Sequence, residues 1–290
     1  MPLLSIVAFA ALTLAQFTLW APHVSASRAG GWWIWPFALA LVAAAASGIV
    51  DARGLLSFLI LAGACHLART ARAGTLRILS LAVMLATSAA LLLHIAPGFD
   101  NPLVLDDVVL ARDSAPYTKY LSFDKGVVGL FLLGLYTPDL PAGDRGIERW
   151  RGFAWRFALL AIVVMTLTWV FGYVRWDPKL PSWWPLWLWS MVSLTALPEE
   201  AIFRGVAQSW IAQRLGNHTH AGILAAVIAG TLFGLAHAAG GLTYVILAAL
   251  SGIGYGWIFA STRSIGAAIA AHTALNAIHF ALFSYPSLAR

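Results

Sequence analysis

Long apolar runs, separated by short polar segments, follow one another along the whole chain. Most of them approach the roughly 20 residues with which an α-helix crosses the hydrocarbon core of a bilayer. None has the alternation of apolar and polar residues that a membrane β-barrel strand would need. We therefore predict an all-α protein, a polytopic transmembrane helical bundle of about eight or nine spans. The candidate spans are residues 3–22, 31–50, 54–68, 76–96, 153–173, 182–197, 221–239, 242–261 and 265–285.

One apolar run, residues 126–136, is too short to cross the core, and we interpret it as a re-entrant or interfacial piece. It follows a polar insert at about residues 99–125, which is rich in aspartate. Three arginines, Arg69, Arg72 and Arg77, cluster instead between the third and fourth spans. Because basic residues concentrate in cytoplasmic loops, we expect the arginine loop to be cytoplasmic and the acidic insert to be exterior.

A second polar stretch, Thr137 to Gly152, is rich in proline, glycine and arginine, and we interpret it as a linker between two halves. Residues 1–150 form a predicted accessory transmembrane half. Residues 151–290 form a working half, which holds the unusual polar groups within apolar sequence. We find no internal repeat of convincing period, so the sequence does not favour an inverted-repeat transporter.

The composition indicates which solvent surrounds the protein. With 60% hydrophobic residues, 10% charged residues and a mean hydropathy of +0.80, the chain has too little polar surface for a soluble globule. Its partner is therefore the lipid bilayer, and we expect an integral protein of the bacterial inner (cytoplasmic) membrane. The net charge of +6 comes from basic residues scattered through loops, which the positive-inside bias explains without a nucleic-acid partner. The single cysteine, Cys65, excludes an internal disulfide and a thiolate metal cluster.

Two of the three glutamates, Glu199 and Glu200, stand side by side after Pro198, at the end of a tryptophan-rich run. Placing a carboxylate beside a segment that lies within the membrane costs free energy, so such a residue by default indicates a function. Pro198 suits the first turn of a helix that we predict to end at Gly216, which would place both acids at a helix start. Glu200 and Arg204 are four residues apart and can pair on one face, whereas Glu199 lies about 100° away and is left for chemistry.

Two later spans each carry a histidine four residues from another distinctive side chain: Phe233 precedes His237, and His272 precedes Asn276. Taken alone, each of these groups more often forms a structural hydrogen bond between helices. A single Glu–Arg pair, likewise, is explained by long side chains that extend to the membrane interface. His94, near a span end, is interpreted as a polar tip at the headgroups. Together, however, a carboxylate, two imidazoles and an amide supply a base, its partner and neutral donors for an oxyanion, which are the parts that peptide hydrolysis needs.

Other chemistries have less support from the residues. No G-x-S-x-G motif surrounds any serine, and Cys65 lies in the other half, which disfavours a serine or cysteine nucleophile. Zinc is the second alternative, because glutamate and histidine are proper ligands, although H-E-x-x-H is absent and asparagine is an uncommon ligand. If a metal is required, we expect Glu199, His237 and His272 to bind it.

The motifs E-E-x-x-x-R, F-x-x-x-H and H-x-x-x-N occur in this order on successive apolar segments. In this respect the chain resembles the CPBP family of intramembrane proteases, which includes type II CAAX prenyl endopeptidases and bacteriocin-processing enzymes. The resemblance covers roughly residues 153–285. It implies an intramembrane endopeptidase in which Glu199 activates a water, with His237 as its partner.

The resemblance also implies roles for the remaining motif residues. His272 and Asn276 would face the scissile carbonyl and stabilise the oxyanion, while Glu200 and Arg204 would organise the helix and Phe233 would support the second motif. Members of the family are described both as metalloproteases and as glutamate-dependent proteases without a required metal.

Because asparagine is a better hydrogen-bond donor than metal ligand, we expect no cofactor, with zinc as the alternative. The expected partner is a membrane-embedded or membrane-anchored protein or peptide, including one with a lipid tail. Two other functions stay open. One is a non-catalytic membrane scaffold or immunity protein, and the other, less favoured, is a proton-coupled transporter that uses the same acids and histidines as a relay.

Overall fold

A computed structural model describes residues 1–20, 31–72, 74–137, 147–216 and 218–289, with no side chains described for 147–150. The α-helices are Leu3–Thr18 (α1), Ile34–Ala46 (α2), Ala52–Thr70 (α3), Thr75–Leu92 (α4), Phe123–Phe131 (α5), Ile147–Val170 (α6), Trp184–Met191 (α7), Leu197–Glu200 (α8), Ser209–Leu215 (α9), Ala221–Ala236 (α10), Gly241–Thr262 (α11) and Ile265–Leu282 (α12). Three segments are π-helical, namely Leu132–Tyr136 (π1), Val192–Ala196 (π2) and Ala201–Gln208 (π3), and Ala238–Gly240 is a 3₁₀ turn. Strands Leu103–Val108 (β1) and Tyr117–Tyr120 (β2) pair in a two-stranded sheet.

Helix dominates the chain, at 72% of residues, and every predicted span contains a helix. Within the described residues, five helices are long and apolar enough to cross a membrane: α3, α4, Arg151–Val170 of α6, Ala238–Thr262 and α12. The helices α1, α2 and α10 are apolar but shorter. A helical membrane protein is therefore supported, whereas the predicted count of eight or nine spans is not confirmed. The all-α class fits the structure, in which the polar insert adds only the short β1–β2 sheet.

The fold divides into two compact units. The first contains Met1–Leu103, Tyr120–Leu140 and Ser193–Ala201, and the second contains Val104–Lys119, Pro141–Val192 and Ile202–Arg290. The predicted linker at 137–152 lies largely outside the described residues. The assignment of an accessory half and a working half stays a prediction.

Helix α5 forms the centre of the first unit. Eight of its nine residues are buried. Phe123 packs edge-on against Phe9 of α1, with ring centroids 5.6 Å apart, and Phe131 packs edge-on against Phe37 of α2 at 5.1 Å. A short apolar helix that is covered in this way is a core helix. Burial within the protein argues against the interfacial alternative for residues 126–136, whereas the re-entrant alternative, which needs such enclosure, stays a prediction.

The second unit depends on a close crossing of α10 and α11. A Cβ atom added to Gly230 would lie 2.7 Å from Ile253 Cα, and one added to Gly252 would lie 3.0 Å from Gly230 Cα. Both glycines are therefore required for the two backbones to approach, as small residues generally are at helix crossings in membranes. Gly254 allows a third helix to pack, since its missing side chain makes room for Leu160 of α6.

The helical path continues without a break from Trp184 to Leu215, so the predicted helix start at Pro198 is wrong. Proline lacks an N–H, and in an α-helix its ring clashes with the carbonyl four residues earlier. Here π2 widens the turn before Pro198, which relieves this conflict. Glu199 and Glu200 therefore lie inside a helix, where its positive end does not stabilise their charge. The predicted stop is confirmed, because Gly216 ends α9 with a φ of 56°.

An aromatic cluster anchors the β1–β2 sheet within the second unit. Tyr117 of β2 is buried and packs edge-on against Tyr285, with centroids 4.9 Å apart. Tyr285 Oη accepts a hydrogen bond from Trp187 Nε1 at 3.3 Å, and Phe280 stacks on Trp187 at 4.2 Å. Burial raises the pKa of Tyr117 to about 12.

Substituting Gly230→Ala should destabilise the protein by about 1–3 kcal/mol, because the added methyl group pushes α10 and α11 apart. Gly222→Ala in the same helix is the matched control, since its Cβ would meet Ala260 Cβ at an ordinary 3.5 Å. This control should be neutral or stabilising by up to about 1 kcal/mol through helix propensity. Thermal unfolding of the two variants in detergent gives the comparison. Equal midpoints would show that the crossing does not depend on Gly230.

The alkaline stability of the protein should depend on Tyr117. A tyrosine phenol in water has a pKa of 10.0, and burial in the folded protein raises the pKa of Tyr117 to about 12. Its contribution to stability is therefore complete below pH 10 and is lost as the pH rises toward 12. The loss should reach up to roughly 3 kcal/mol. Tyr117→Phe should flatten this decline in unfolding midpoints measured from pH 8 to pH 12. Tyr120→Phe, at an exposed position on the same strand, should leave the decline unchanged.

Candidate active site

Phe233 is the common neighbour of the predicted polar groups in the second unit. It is buried near the end of α10, at 3% exposure. Its ring centroid lies 4.6 Å from that of His237 and 5.7 Å from that of His272. The guanidinium carbon of Arg204 lies 5.1 Å from the same ring. The structure therefore brings one residue from each of the three motifs around a single phenyl ring.

His237 is held in one orientation by the end of its own helix. It follows α10 directly, and the last carbonyls of a helix have no partner within the helix. Its Nδ1 lies 2.7 Å from the carbonyl oxygen of Phe233, which can only accept, so Nδ1 carries the proton. In the neutral ring, Nε2 is then the acceptor nitrogen. The half-buried imidazole thus presents an acceptor nitrogen at a fixed position. The ring of Tyr244 lies edge-on to it at 5.4 Å.

His272 and Asn276 follow each other on one face of α12. His272 is 3% exposed and stacks on Tyr255 of α11, with centroids 4.7 Å apart and planes at 11°. Asn276 is half-buried, and its Nδ2 donates to the His272 carbonyl at 3.3 Å. An amide nitrogen carries two hydrogens, so this bond leaves Asn276 a second donor. Tyr255 was not identified from the sequence, where it is one aromatic residue among many.

Arg204 and Gln208 connect π3 to α11. Arg204 is fully buried, and its Nη2 donates to the carbonyl of Gly252 at 2.7 Å. One turn later, Gln208 Nε2 donates to the carbonyl of Gly256 at 2.8 Å. Both acceptors are glycines, so no side chain on the acceptor residue obstructs the approach. Sequence reasoning missed Gln208, although its four-residue spacing from Arg204 in an apolar helix was a usable signal.

Glu199 and Glu200 lie on α8, which belongs to the first unit. Glu200 is fully buried and Glu199 is half-buried. Helix α5 packs against this segment backbone to backbone, because a Cβ on Gly129 would lie 3.0 Å from Pro198 Cα. A fully buried carboxylate is expensive unless the protein compensates it, so Glu200 is the acid expected to serve structure.

Gln16 of α1 also holds the segment that leads to the glutamates. Its Nε2 donates to the carbonyls of Gly126 in α5 and Ser193 in π2, at 3.1 and 3.0 Å. Pro198 has no N–H to offer the carbonyls of the turn before it, so a side-chain donor replaces a missing backbone donor. Gln16 was missed because its partners are far away in the sequence.

The turn between the glutamates and Arg204 is not α-helical. Residues Ala201–Gln208 are π-helical, and in keeping with this Ser209 Oγ reaches the carbonyl of Arg204 five residues earlier at 2.8 Å. The predicted pairing of Glu200 with Arg204 assumes that residues four apart share a face, which holds for an α-helix and not for a π-helix. The assignment of Glu200 to structure and Glu199 to chemistry therefore stays a prediction.

The donor set of the candidate site differs from that of a zinc centre. Across the described ranges, no three His, Cys, Asp or Glu side chains are grouped so that they could hold a metal ion. Asn276, moreover, acts as a donor in its contact with His272. The residues as placed do not fit a zinc site, so we derive no catalytic step through a metal.

The comparison with known families concerns this same part of the chain. Residues 181–278, about one third of the 290, match a family model described as type II CAAX prenyl endopeptidase Rce1-like. All three motifs lie inside the matched segment. No curated protein and no solved structure matches the chain. The segment that carries the candidate site is therefore similar to type II CAAX prenyl endopeptidases, which confirms the resemblance to the CPBP proteases.

Proposed function

We propose that the protein is an intramembrane endopeptidase that cleaves a membrane-anchored peptide with a water activated by Glu199. The observation that carries this proposal is the hydrogen bond from His237 Nδ1 to the Phe233 carbonyl. It places a proton on Nδ1, so that in the neutral ring Nε2 is the acceptor that can orient a water or a protonated carboxyl group. The family match supplies the reaction class.

The chemistry needs one proton carrier and one nucleophile. Glu199 removes a proton from water while the oxygen forms a bond to the scissile carbonyl carbon, and His237 Nε2 holds that water in place. The resulting tetrahedral oxyanion collapses as the C–N bond breaks. Glu199 then returns its proton to the leaving amine, so that no proton or electron pair is left over.

His272 and Asn276 would stabilise the oxyanion with neutral donors. A buried donor that is already oriented contributes about 100- to 1,000-fold to such reactions, because it needs no reorganisation when the charge forms. Stacking on Tyr255 orients the imidazole of His272, and the second N–H of Asn276 is the amide donor for the oxyanion. We therefore assign these two residues to the carbonyl and not to the water.

Arg204 acts as a positioning residue in this scheme. Its guanidinium is buried, faces Phe233 and Tyr255 and donates to α11, so it fixes π3 against the helix that carries Tyr255. Bonds from guanidinium to a carbonyl are among the stronger protein hydrogen bonds. The substrate would be a membrane-embedded or lipid-tailed chain in extended form, since a helical backbone hides its carbonyls. The corresponding location is the bacterial inner membrane.

Glu199→Gln and His237→Ala should each reduce peptide cleavage at least about 100-fold, since each removes an acid–base or water-orienting group. The assay uses protein reconstituted in liposomes and a peptide with a farnesylated cysteine near its carboxyl terminus. His66→Ala, at an exposed position in α3, is the control and should retain full activity. A scaffold or immunity protein would show no cleavage in the wild type and equal behaviour in all variants.

Exhaustive chelation should leave the wild-type cleavage rate within about twofold, because glutamate, imidazole and amide groups suffice for the proposed chemistry. The measurement compares the rate before chelation, after dialysis against a strong chelator and after zinc is restored. Activity that disappears with the chelator and returns with zinc would contradict the metal-free mechanism while leaving the peptidase assignment intact.

A further inference from the structure

The first unit contains a second cluster of reactive side chains, which the proposed peptidase does not use. His94 Nδ1 lies 2.7 Å from Asp124 Oδ2, and His94 Nε2 lies 3.5 Å from Ser122 Oγ. The order of contacts is that of a serine hydrolase, in which a carboxylate orients an imidazole and the imidazole faces a hydroxyl. We propose that Ser122, His94 and Asp124 form a second hydrolytic site, which cleaves small acyl esters.

Asp124 is held in one orientation by its neighbours. It is 1% exposed in α5, and its Oδ1 accepts hydrogen bonds from Asn101 Nδ2 at 3.1 Å and from the Lys125 amide at 2.9 Å. Its Oδ2 faces His94. With the carboxylate fixed by two other donors, Nδ1 of His94 is the nitrogen that carries the proton. Nε2 is then the base, directed to Ser122.

The backbone of His94 shows that an imidazole occupies a position where glycine is usual. The amides of His94 and Ile95 donate to the carbonyls of Leu91 and Ala90, the two bonds that end a helix in a Schellman motif. The residue at the turn adopts a left-handed conformation, here with a φ of 57°. Such a conformation costs a side-chain-bearing residue about 1–2 kcal/mol. His94 keeps this unfavourable conformation while it contacts Asp124. Strained backbone conformations of this kind cluster at functional sites.

The hydroxyl of Ser122 does not cap its helix. It occupies the N-cap position of α5, where a serine hydroxyl normally accepts an amide hydrogen, yet it makes no such bond. Asn101 Oδ1 instead accepts from the amide of Phe123 at 2.8 Å. The hydroxyl is thus left to the imidazole. Its 3.5 Å separation is long for a hydrogen bond, as catalytic pairs often are before a substrate binds.

A cavity of about 320 Å³ adjoins the cluster, with His94, Asp124, Asn101, Tyr120, Phe99 and Asp100 in its wall. The second N–H of Asn101 and the hydroxyl of Tyr120 supply neutral donors for an oxyanion. Among the described residues of the wall there is no lysine or arginine, and there are two aspartates. The cavity therefore favours neutral or cationic esters over anionic ones. Ser122 is only 8% exposed, which limits the acyl group to a slender one.

The reaction balances without a co-reactant other than water. Ser122 Oγ bonds to the acyl carbon as His94 Nε2 takes the hydroxyl proton, and that proton leaves with the alcohol when the ester bond breaks. Water then attacks the acyl–serine and gives a proton to Nε2, which returns it to Ser122 as the carboxylic acid departs. Asp124 stabilises the positive imidazole in both steps.

A fluorophosphonate probe tests the site directly, because it bonds covalently to an activated serine. The protein is used in detergent with the Glu199→Gln background, so that the peptidase site does not contribute. Intact mass and peptide mapping should show one adduct, on Ser122, and p-nitrophenyl acetate should be hydrolysed. His94→Gly removes the base while relieving the left-handed strain, and should slow labelling at least about 100-fold.

Ser47→Ala is the control and should label like the parent, because Ser47 is a half-buried serine of the same unit whose hydroxyl donates to the carbonyl of Ala44 in α2. An adduct on any other residue, labelling that persists unchanged in His94→Gly, or a folded protein that takes no label would each overturn the proposal. Because the adduct is mapped on the parent protein, the result does not depend on how well a variant folds.

Discussion

Three long buried side chains in this protein, Arg204, Gln208 and Gln16, donate hydrogen bonds to the backbone carbonyls of helices. The interior of a membrane offers no water to such groups, and an unpaired one is costly. Arg204 and Gln208 donate to the carbonyls of Gly252 and Gly256, one turn apart. Gln16 does the same in the first unit. A helical carbonyl has a second lone pair, so it accepts these bonds without giving up its own helical bond.

This constraint explains why glycine is placed where the helices cross. A carbonyl in the middle of a helix is normally covered by side chains, and glycine uncovers it while also letting a second helix approach. Gly252 does both, since it accepts from Arg204 and touches Gly230 of α10. The crossing in turn fixes Phe233, which lies against Gly252 and carries the contacts to both histidines. The geometry of the candidate site is therefore a consequence of how polar groups are buried between helices.

The sequence predicted those features that depend on local pattern. Apolar length located the helices, and rare polar groups within apolar sequence located the motifs. It failed where a distant partner decides the outcome. Gln16 replaces a backbone donor that Pro198 lacks, and no local pattern reveals that α1 lies beside π2. The burial of α5 and the π-helical turns before and after Glu199 have the same origin, because packing against other helices overrides the spacing that a regular α-helix would impose.

The sequence suggests a polar tip at the headgroups for His94 and a partner of the water-activating Glu199 for His237, yet the structure gives the two histidines the same local design. Each follows the last turn of a helix, and each directs Nδ1 to an oxygen acceptor, Asp124 in one unit and the Phe233 carbonyl in the other. A histidine just past a helix end is thus oriented in one tautomer by an oxygen acceptor. In each case Nε2, the nitrogen that faces away from this acceptor, is the acceptor nitrogen of the neutral ring.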